Sequence, residues 1–539
     1  MSATQPAPAD VEAIGGPESF ELLSRLVELA PTNLEDPAHG REEKRHYPET
    51  AELLLRTAKA WGLRARLWDA QQGLPDGAKR FVSPRPNVIV ELGPPGPPSL
   101  LLLAHFDVVP VPSEQRERWH SPPHQLTVRS DGRWYGRGTN DDLGSGVVGT
   151  LTALRTLARE GGPQVGVRLI LSPDEETGGV GGIEALLAHD QLLPEGSPER
   201  FLVGEAALLP DGSPYVSAGS SGATFLDITR DPPGSLGGFV ELAAGMVGAR
   251  DEADRWVSSL PSPDHPNGGG PHPTIHGRAT LTGWEMRSGT ATPREGGVRL
   301  LHLRAESDAA NQIAGAVTLE WDGPAGSGEA LQRWVRAEVR PPFSVRPLPS
   351  RGTQGGLQVV GRAGHAGYPH RASNPVEETV RLLTGALRAH LAEDSALLSG
   401  TLTLDLRSPP EFTSKETLSR FDAYFRTVQQ RLPGARYSAP EPRRRAGYYL
   451  PADHPFLARV QKVYQQVSHR PVGIYGEYGG TDASALRELK TPRGEPLPAV
   501  VFGSMDESAH IHDAEESLLP SLLGEVERLL VTLVREWKN

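Results

Sequence analysis

The sequence of 539 residues lacks several features that would point to other classes of protein. It contains no cysteine, which excludes disulfide bridges, a cysteine nucleophile and thiolate metal ligands. It contains no run of 18 apolar residues, so no membrane-spanning helix is expected. It has no long block of lysine and arginine, and its formal net charge is −12. We therefore expect neither a membrane nor a nucleic acid as partner.

Neither the first residues of the chain nor its one basic cluster carries a functional motif. The first residues have neither the basic start nor the apolar stretch of a secretory signal. We expect residues 1–19 to form a disordered lead and the protein to be cytoplasmic. The one basic cluster, Arg443 to Arg445, is typical of a solvated loop.

What the sequence does contain is an alternation of apolar helices and strands. Helical spacing recurs at Phe20–Leu29 and Glu49–Trp61, and apolar runs such as "SLLLLAH" and "VRLILS" predict buried strands. This order predicts an α/β fold with a mixed, mainly parallel sheet flanked by helices. Near Ser213 the pattern changes to a loop-rich α+β sequence, and near Gly447 the alternation of helices and short strands returns. We expect residues 20–213 and 446–539 to form one domain, with 214–445 inserted.

Histidine and carboxylate side chains recur where these strands end. One such pair would be an ordinary exit to the surface, but in open α/β sheets ligands bind beyond the carboxyl ends of the strands. Four predicted strands, and a loop before a helix, deliver such groups: His105 and Asp107; Asp174, Glu175 and Glu176; Glu205; His510, His512, Glu515 and Glu516; and, in the loop, Asp141 and Asp142. The recurrence predicts a metal site at this edge.

The ligand types restrict the metal. Imidazole and carboxylate without sulfur suit Zn²⁺, with Co²⁺ or Mn²⁺ as substitutes. Two histidines and at least three carboxylates exceed what one tetrahedral ion needs. They fit two divalent ions about 3.5–4 Å apart that share one carboxylate.

Five motifs in this order resemble those of a known family. They are "HFDVVP", "GRGTNDDLG", "DEETGG", "VGEA" and a C-terminal His-x-x-x-Glu. Together they resemble the di-zinc aminoacylases, succinyl-diaminopimelate desuccinylases, acetylornithine deacetylases and carnosinase-like dipeptidases, which form metallopeptidase family twenty of clan MH. The resemblance covers nearly the whole chain. It implies a phosphorylase/hydrolase-like catalytic domain with an inserted α+β lid domain.

The resemblance also implies a role for each matching residue. Glu175 would be the general base, and Asp107 would orient the imidazole of His105 from behind. The implied metal ligands are His105, Asp141 as the bridge, Glu176, Glu205 and His512. The spacing His-x-x-x-Glu favours His512 with Glu516, but His510 remains an alternative ligand.

Three further stretches imply substrate contacts. "GRAGHAGYPHRASNP" is similar to the family's lid motif and places His365 at the substrate carbonyl, with Asn374 nearby. "LDLRSPP" is similar to the strand whose arginine, here Arg407, grips the substrate carboxylate. "GGTDASAL" matches a family loop in which Thr481 shapes the pocket.

The resemblance leaves the substrate open. A dipeptidase is the first choice and an N-acyl-amino-acid deacylase the second, because both cleave an amide near a free carboxylate. A metal-free binding protein is an alternative of another class. A phosphate-binding loop and a serine hydrolase are disfavoured, because Asp141 replaces the third glycine of "GRGTND" and no G-x-S-x-G elbow is present. The insert is about twice the usual size, so we expect a monomer rather than a homodimer.

Overall fold

The computed structural model describes most of the chain. The described residues are 8–32, 46–73, 84–111, 113–231, 233–262, 274–289, 297–305, 312–367, 369, 372–387, 389–392, 395–440 and 444–537. They form twelve α-helices: α1 (Pro8–Ala13), α2 (Pro17–Leu29), α3 (Tyr47–Ala60), α4 (Ser113–Arg116), α5 (Thr150–Arg159), α6 (Ile183–Leu192), α7 (Leu236–Ala253), α8 (Ala325–Glu338), α9 (Pro375–Ala386), α10 (Ser414–Arg431), α11 (Pro455–Ser468) and α12 (Pro520–Arg535).

The same residues form 24 strands. They are β1 (Arg64–Asp69), β2 (Pro86–Leu92), β3 (Leu100–His105), β4 (Thr127–Val128), β5 (Trp134–Tyr135), β6 (Val167–Ser172), β7 (Ala206–Leu209), β8 (Val216–Ser220), β9 (Gly222–Arg230), β10 (Val257–Pro261), β11 (Thr274–His276), β12 (Arg278–Ser288), β13 (Arg299–Ala305), β14 (Gln312–Ile313), β15 (Ala316–Asp322), β16 (Ser344–Arg351), β17 (Gln354–Val360), β18 (Gly364–His365), β19 (Leu397–Ser408), β20 (Ala435–Ser438), β21 (Arg444–Arg445), β22 (Ile474–Glu477), β23 (Ala499–Val501) and β24 (Ser517–Leu518).

The first large sheet has eight strands in the order β1-β2-β6-β3-β7-β23-β8-β22. The pairs β6–β3, β3–β7, β7–β23 and β8–β22 are parallel, and the pairs β1–β2, β2–β6 and β23–β8 are antiparallel. Every residue of β3 and β6 is buried, as expected for strands covered on both faces. The prediction of a mixed, mainly parallel sheet flanked by helices is confirmed.

Alternate residues of the central strands face two different cores. Leu100 and Leu102 pack with α2, α3, α5, α11 and α12 on one side of the sheet. Leu101 and Leu103 pack with α6 and the turn at 482–486 on the other side. Because the strands are held from both faces, the loops at their carboxyl ends project from a rigid base.

The chain start differs from the expectation. Residues 8–19, expected in a disordered lead, contain α1 and the beginning of α2. Ile14 is buried in the core. Gly15 has a φ of +82°, and a Cβ there would lie 2.1 Å from Cγ2 of Thr152, so a glycine is required at this close approach. The expected lead is therefore wrong for residues 8–19, and residues 1–7 lie outside the described part of the chain.

The second large sheet is built from the middle of the chain. Its order is β16-β17-β15-β13-β12-β19-β9-β20, with β21 also paired to β9. Helices α7, α8, α9 and α10 pack on it around a separate core. The chain enters this sheet at Gly222, so β8, expected inside the insert, belongs to the first sheet. Within the described residues, no helix is both long and apolar enough to cross a membrane.

Candidate metal centre and active site

Three neighbouring parallel strands place the acidic and imidazole groups at one edge. His105 is the last residue of β3, Glu175 and Glu176 follow β6, and Asp211 follows β7. These strands lie side by side in the order β6-β3-β7. Their carboxyl ends therefore meet, as expected for a ligand site in such a sheet.

Asp107 organises the loops around His105. The backbone carbonyl of Asp107 lies 3.0 Å from Nδ1 of His105, and the carboxylate Oδ1 lies 3.3 Å from the same nitrogen. The two carboxylate oxygens accept hydrogen bonds from the backbone amides of Glu175, at 3.0 Å, and Glu176, at 3.1 Å. Asp107 is fully buried. It thus fixes the His105 ring and the Glu175–Glu176 turn relative to each other.

Asp141 lies between two imidazoles. Its Oδ1 is 3.1 Å from Nε2 of His105, and its Oδ2 is 3.0 Å from Nε2 of His512. Burial alone would raise the pKa of Asp141, but the hydrogen bonds to both histidines outweigh it and lower the pKa below its usual value. One oxygen of the carboxylate therefore faces each histidine, which is the arrangement a bridging ligand needs.

Of the two C-terminal histidines, the structure brings His512 to the cluster. Its Nε2 lies 3.1 Å from Oε2 of Glu176, whereas His510 lines a separate cavity of about 540 Å³ together with Arg118 and Arg133. Both histidines have a positive φ, 52° at His510 and 62° at His512. Non-glycine residues rarely adopt this conformation, and it concentrates at functional sites.

Glu516, four residues after His512, holds the loop that carries Asp141. Its Oε2 accepts hydrogen bonds from Nη1 of Arg137 at 2.7 Å and from the amide of Gly138 at 2.9 Å. Its Oε1 accepts from the amides of Asn140, at 3.1 Å, and Asp141, at 3.2 Å. The His-x-x-x-Glu spacing thus joins a cluster residue to a buried carboxylate that positions the loop of Asp141.

The structure does not bring Glu205 to the cluster. Glu205 precedes β7, so it lies at the opposite end of that strand from His105, and its carboxylate is 3.6 Å from Arg493. The stretch "RFLV" is not a strand, because the carboxylate of Asp190 accepts hydrogen bonds from the amides of Phe201, at 2.8 Å, and Leu202, at 2.7 Å. The expectation that Glu205 is a ligand is therefore corrected.

Asp211 occupies the place expected for Glu205. It follows the true strand "AALL" through a proline, and its Oδ1 lies 3.7 Å from Nε2 of His105. Burial raises the pKa of Asp211 to about 7, although the interactions with His105 oppose this shift. The signal was present in the sequence, since "AALLPDG" is an apolar run that ends on a carboxylate.

The donor set has more carboxylates than imidazoles. Among the residues that the structure describes, two groups of side chains have ligand atoms within 4.8 Å of one another: His105 with Asp142 and Asp211, and His105 with Asp141 and Glu176. Burial raises the pKa of Glu176 to about 8, despite the attraction of His512. Burial also raises the pKa of Asp142, so the protein alone does not stabilise these carboxylates in their charged form, and the site fits divalent cations with oxygen and nitrogen ligands.

Glu175 belongs to neither of these two groups. Its Oε1 accepts a hydrogen bond from Nη1 of Arg445 at 2.9 Å, and Nη2 of Arg445 is 3.4 Å from Oδ1 of Asp482. The Arg445 side chain is 16% exposed, so the expectation of a solvated loop is wrong for this residue. Arg443 lies outside the described residues.

Arg407 and Thr481, which were predicted to contact the substrate, lie in the second sheet and in a nearby loop. Arg407 is buried on β19 and makes two hydrogen bonds with Asp405, Nε to Oδ1 at 2.7 Å and Nη2 to Oδ2 at 2.8 Å. Its Nη1 lies 3.8 Å from the position of a Cβ at Gly480. Thr481 caps the following turn, accepting a hydrogen bond from the amide of Ala483 at 3.2 Å.

The structure describes the side chain of Asn374 but only the backbone of His365. Asn374 caps α9, with Oδ1 accepting from the amide of Val376 at 3.0 Å and Nδ2 donating to the carbonyl of Leu281 at 2.9 Å. Both ends of its side chain are thus engaged in structural hydrogen bonds. The backbone of His365 pairs with Gln312 between β18 and β14, but its side chain lies outside the described part of the chain.

Comparison with known structures shows the fold. A di-peptidase from Saccharomyces cerevisiae is 12% identical, with a TM-score of 0.55 over 98% of this chain and 97% of that chain. A family M20 metallo-carboxypeptidase from Sulfolobus solfataricus is 13% identical, with a TM-score of 0.55 over 97% of this chain and 100% of that chain. At such identities the likeness establishes the fold alone.

Comparison with curated sequences finds shorter but closer matches. A cysteinylglycine-S-conjugate dipeptidase of Corynebacterium striatum is 38% identical over 104 residues, 19% of this chain and 20% of that protein. Aminoacylase-1 of Mus musculus is 40% identical over 99 residues, 18% of this chain and 23% of that protein. The matched segments thus span about a fifth of the length of these curated relatives.

The family profile gives the widest sequence match. Residues 101–536 match Peptidase family M20/M25/M40, which is well over half of the chain. This match includes the motifs at His105, Asp141 and Glu176 as well as the C-terminal histidine loop. It confirms the resemblance found in the sequence, and the chain therefore belongs to Peptidase family M20/M25/M40.

Proposed function

We propose that the protein is a di-metal hydrolase that cleaves the amide bond of dipeptides, or of similar small substrates, next to a free carboxylate. The observation that carries the proposal is the position of Asp141, with one carboxylate oxygen directed at His105 and the other at His512. The neighbouring acid Glu175, which is in neither ligand group and contacts Arg445 instead, supplies the separate proton-transfer group that such a reaction needs.

The donor set divides into two groups around Asp141. One ion would be held by His105, Asp211 and Asp141, and the other by Asp141, Glu176 and His512. Zn²⁺ suits this set of imidazole and carboxylate ligands, and Co²⁺ or Mn²⁺ could replace it. When bound, two such ions polarise the substrate carbonyl and make water acidic enough to act as a nucleophile at neutral pH.

Glu175 acts as the general base in this proposal. Asp107 holds the backbone amides of both Glu175 and Glu176, so the two adjacent side chains start from a fixed turn and diverge. Glu176 enters the ligand cluster while Glu175 remains free of it. Its carboxylate takes a proton from the attacking water and then delivers it to the leaving amine nitrogen.

Arg407 recognises the free carboxylate of the substrate. Two of its nitrogens are held by the buried carboxylate of Asp405, which fixes the plane of the guanidinium. The remaining Nη1 faces Gly480, where the absence of a side chain leaves room for a ligand group. A fixed guanidinium of this kind suits recognition of a carboxylate.

The choice between two amide substrates rests on the relatives. A dipeptidase and an aminoacylase both match short segments of the chain, and both reactions release an amino acid with a free carboxylate. The dipeptide is the first candidate, and the N-acyl amino acid is the second. The metal centre serves either reaction equally.

A hydrolysis screen tests the proposal. Purified protein loaded with Zn²⁺, Co²⁺ or Mn²⁺ is incubated with a panel of dipeptides and N-acyl amino acids, and released amino acid is measured. Glu175→Gln is the matched control, because it keeps the side-chain shape. We expect turnover that falls by roughly 10²–10⁴-fold in the variant while metal content is kept. A protein that binds no metal and hydrolyses none of the panel would instead be a binding protein.

A further inference from the structure

The general base proposed above is in contact with an arginine from the far end of the inserted segment. Nη1 of Arg445 donates to Oε1 of Glu175 at 2.9 Å, across 270 residues of sequence. The same guanidinium reaches Asp482, where Nη2 lies 3.4 Å from Oδ1. The side chains of Glu175, Asp482 and Arg445 are only 13%, 5% and 16% exposed. The guanidinium thus bridges two largely buried carboxylates.

The local fold keeps this guanidinium in place. The backbone of Arg445 pairs with Ala223 through β21 and β9, which fixes the root of the side chain. Gly179, in the motif "DEETGG", lies against its tip, because a Cβ there would be 2.7 Å from Nη2 of Arg445. Gly179 also has a φ of +71°. Any other residue at 179 would therefore be strained and would push the guanidinium away from Glu175.

The pairing of the strands connects Arg445 to the carboxylate-binding residue. Ala223 of β9 lies opposite Arg407 of β19 on one side and opposite Arg445 of β21 on the other. Residues directly opposite each other in a sheet point to the same face. The two arginines are therefore separated by one strand in a single row, one directed at Gly480 and the other at Asp482.

We propose that Arg445 is a positioning residue that holds the carboxylate of Glu175 in its working orientation and ties that orientation to the inserted sheet. This inference rests on the proposed role of Glu175 as the base. Arg445 fixes one carboxylate oxygen and leaves the other for proton transfer. Asp482 anchors the second arm of the guanidinium, so that the arginine does not rotate with Glu175. The sheet that carries Arg407 therefore also carries the group that orients the base.

The arrangement makes a distinct kinetic prediction. A misplaced base slows the chemical step, and a displacement of about 1 Å can cost on the order of 10²-fold in rate. Substrate capture through Arg407 and metal binding through the ligand cluster do not involve Arg445. Loss of Arg445 should therefore lower kcat by roughly 10- to 100-fold, with KM and metal content close to those of the wild type.

Four variants separate positioning from simple stabilisation. Arg445→Ala removes the guanidinium, and Arg445→Lys keeps a charge that cannot bridge both acids. Asp482→Asn releases only the second arm and should cost less than Arg445→Ala. Arg444→Ala is the matched control, because Arg444 is the other residue of β21 and its Nε donates to the carbonyl of Ala439 rather than to a site residue. Each variant is compared in kcat, KM and bound metal.

Two further measurements respond to positioning alone. Guanidinium ion at millimolar concentration should restore part of the activity of Arg445→Ala and none of any loss in Arg444→Ala. Crystal structures of the metal-loaded wild type and Arg445→Lys should show the Glu175 carboxylate in two different orientations. The crystallographic comparison needs no turnover, so it decides the role of Arg445 even if the wild type hydrolyses none of the panel and the proposed function fails.

Each result of these experiments either supports or overturns the role of Arg445. A fall in kcat with an unchanged KM, recovery with guanidinium and a displaced Glu175 would support the proposal. An Arg445→Lys crystal structure with Glu175 in its wild-type orientation would overturn it. Kinetic constants for Arg445→Ala that match those of Arg444→Ala would overturn it as well. If Arg445→Ala does not fold, Arg445→Lys and Asp482→Asn carry the same comparison.

Discussion

The sharpest test of the proposed metal centre asks whether Asp211, and not Glu205, is a metal ligand. The perturbation is Asp211→Asn, with Glu205→Gln as its matched control, because each change replaces a carboxylate by an amide of the same shape. Asp211 is directed at His105, with Oδ1 3.7 Å from Nε2. Glu205 is 28% exposed and faces Arg493.

The expected magnitudes differ widely. A four-ligand zinc site has an apparent binding free energy of about 10–16 kcal/mol, so one ligand accounts for roughly 3 kcal/mol, or about a hundredfold in Kd. Asp211→Asn should therefore lose about one metal per chain and most of the activity. An exposed ion pair such as Glu205 with Arg493 contributes only about 0–1 kcal/mol. Glu205→Gln should keep both metals and nearly full activity.

The assay is metal content after dialysis against a weak chelator, measured together with turnover and with the free energy of unfolding of the metal-free protein. Because burial raises the pKa of Asp211, removal of its charge should not destabilise the metal-free fold at neutral pH. A Glu205→Gln protein that loses a metal while Asp211→Asn retains two would refute the reasoning.

Three further predictions concern the substrate, the response to acid and the assembly. Arg407→Lys should raise KM for a dipeptide, and the wild type should discriminate against the C-terminally amidated dipeptide more strongly than the variant; equal cleavage of acid and amide by the wild type would contradict this. Burial and two nearby arginines lower the pKa of His124 to about 4, so this group contributes stability above pH 6.5 that is lost as the pH falls toward 4. His124→Gln should then retain up to about 3 kcal/mol more of its unfolding free energy than the wild type across that range, as measured by urea denaturation, and parallel curves would contradict it. A monomer that completes its own site predicts that mixed Glu175→Gln and His365→Ala proteins stay inactive, whereas recovered activity would indicate a shared site.

The sequence predicted those site residues that stand directly after an apolar strand. His105 ends β3 and Glu176 comes shortly after β6, and parallel pairing of these strands brings their ends together. The same rule failed at Glu205 because an apolar stretch was mistaken for a strand. The hydrogen bonds from Phe201 and Leu202 to Asp190 keep that stretch out of the sheet, and such tertiary contacts have no local signature.

Contacts across the inserted segment were beyond the reach of the sequence. Arg445 stands in a basic cluster that resembles a solvated loop, and its partner Glu175 is 270 residues away. The pairing of β21 with β9 fixes the backbone of Arg445, and this long-range pairing has no local signature. Similarly, the two glycines after "DEET" were expected as part of a motif, while the structure shows that Gly179 makes room for the guanidinium.

Titration of metal-free protein with Zn²⁺ tests the central claim most directly. Bound metal and hydrolysis of a dipeptide and of an N-acyl amino acid are measured on the same samples. The account predicts binding that saturates at about two ions per chain, with hydrolysis reaching its plateau at the same point. It also predicts that Asp141→Ala, which removes the carboxylate between His105 and His512, binds fewer ions than the single-site variant His512→Ala. Two ions retained in Asp141→Ala, or hydrolysis by the wild type without any metal, would contradict the account.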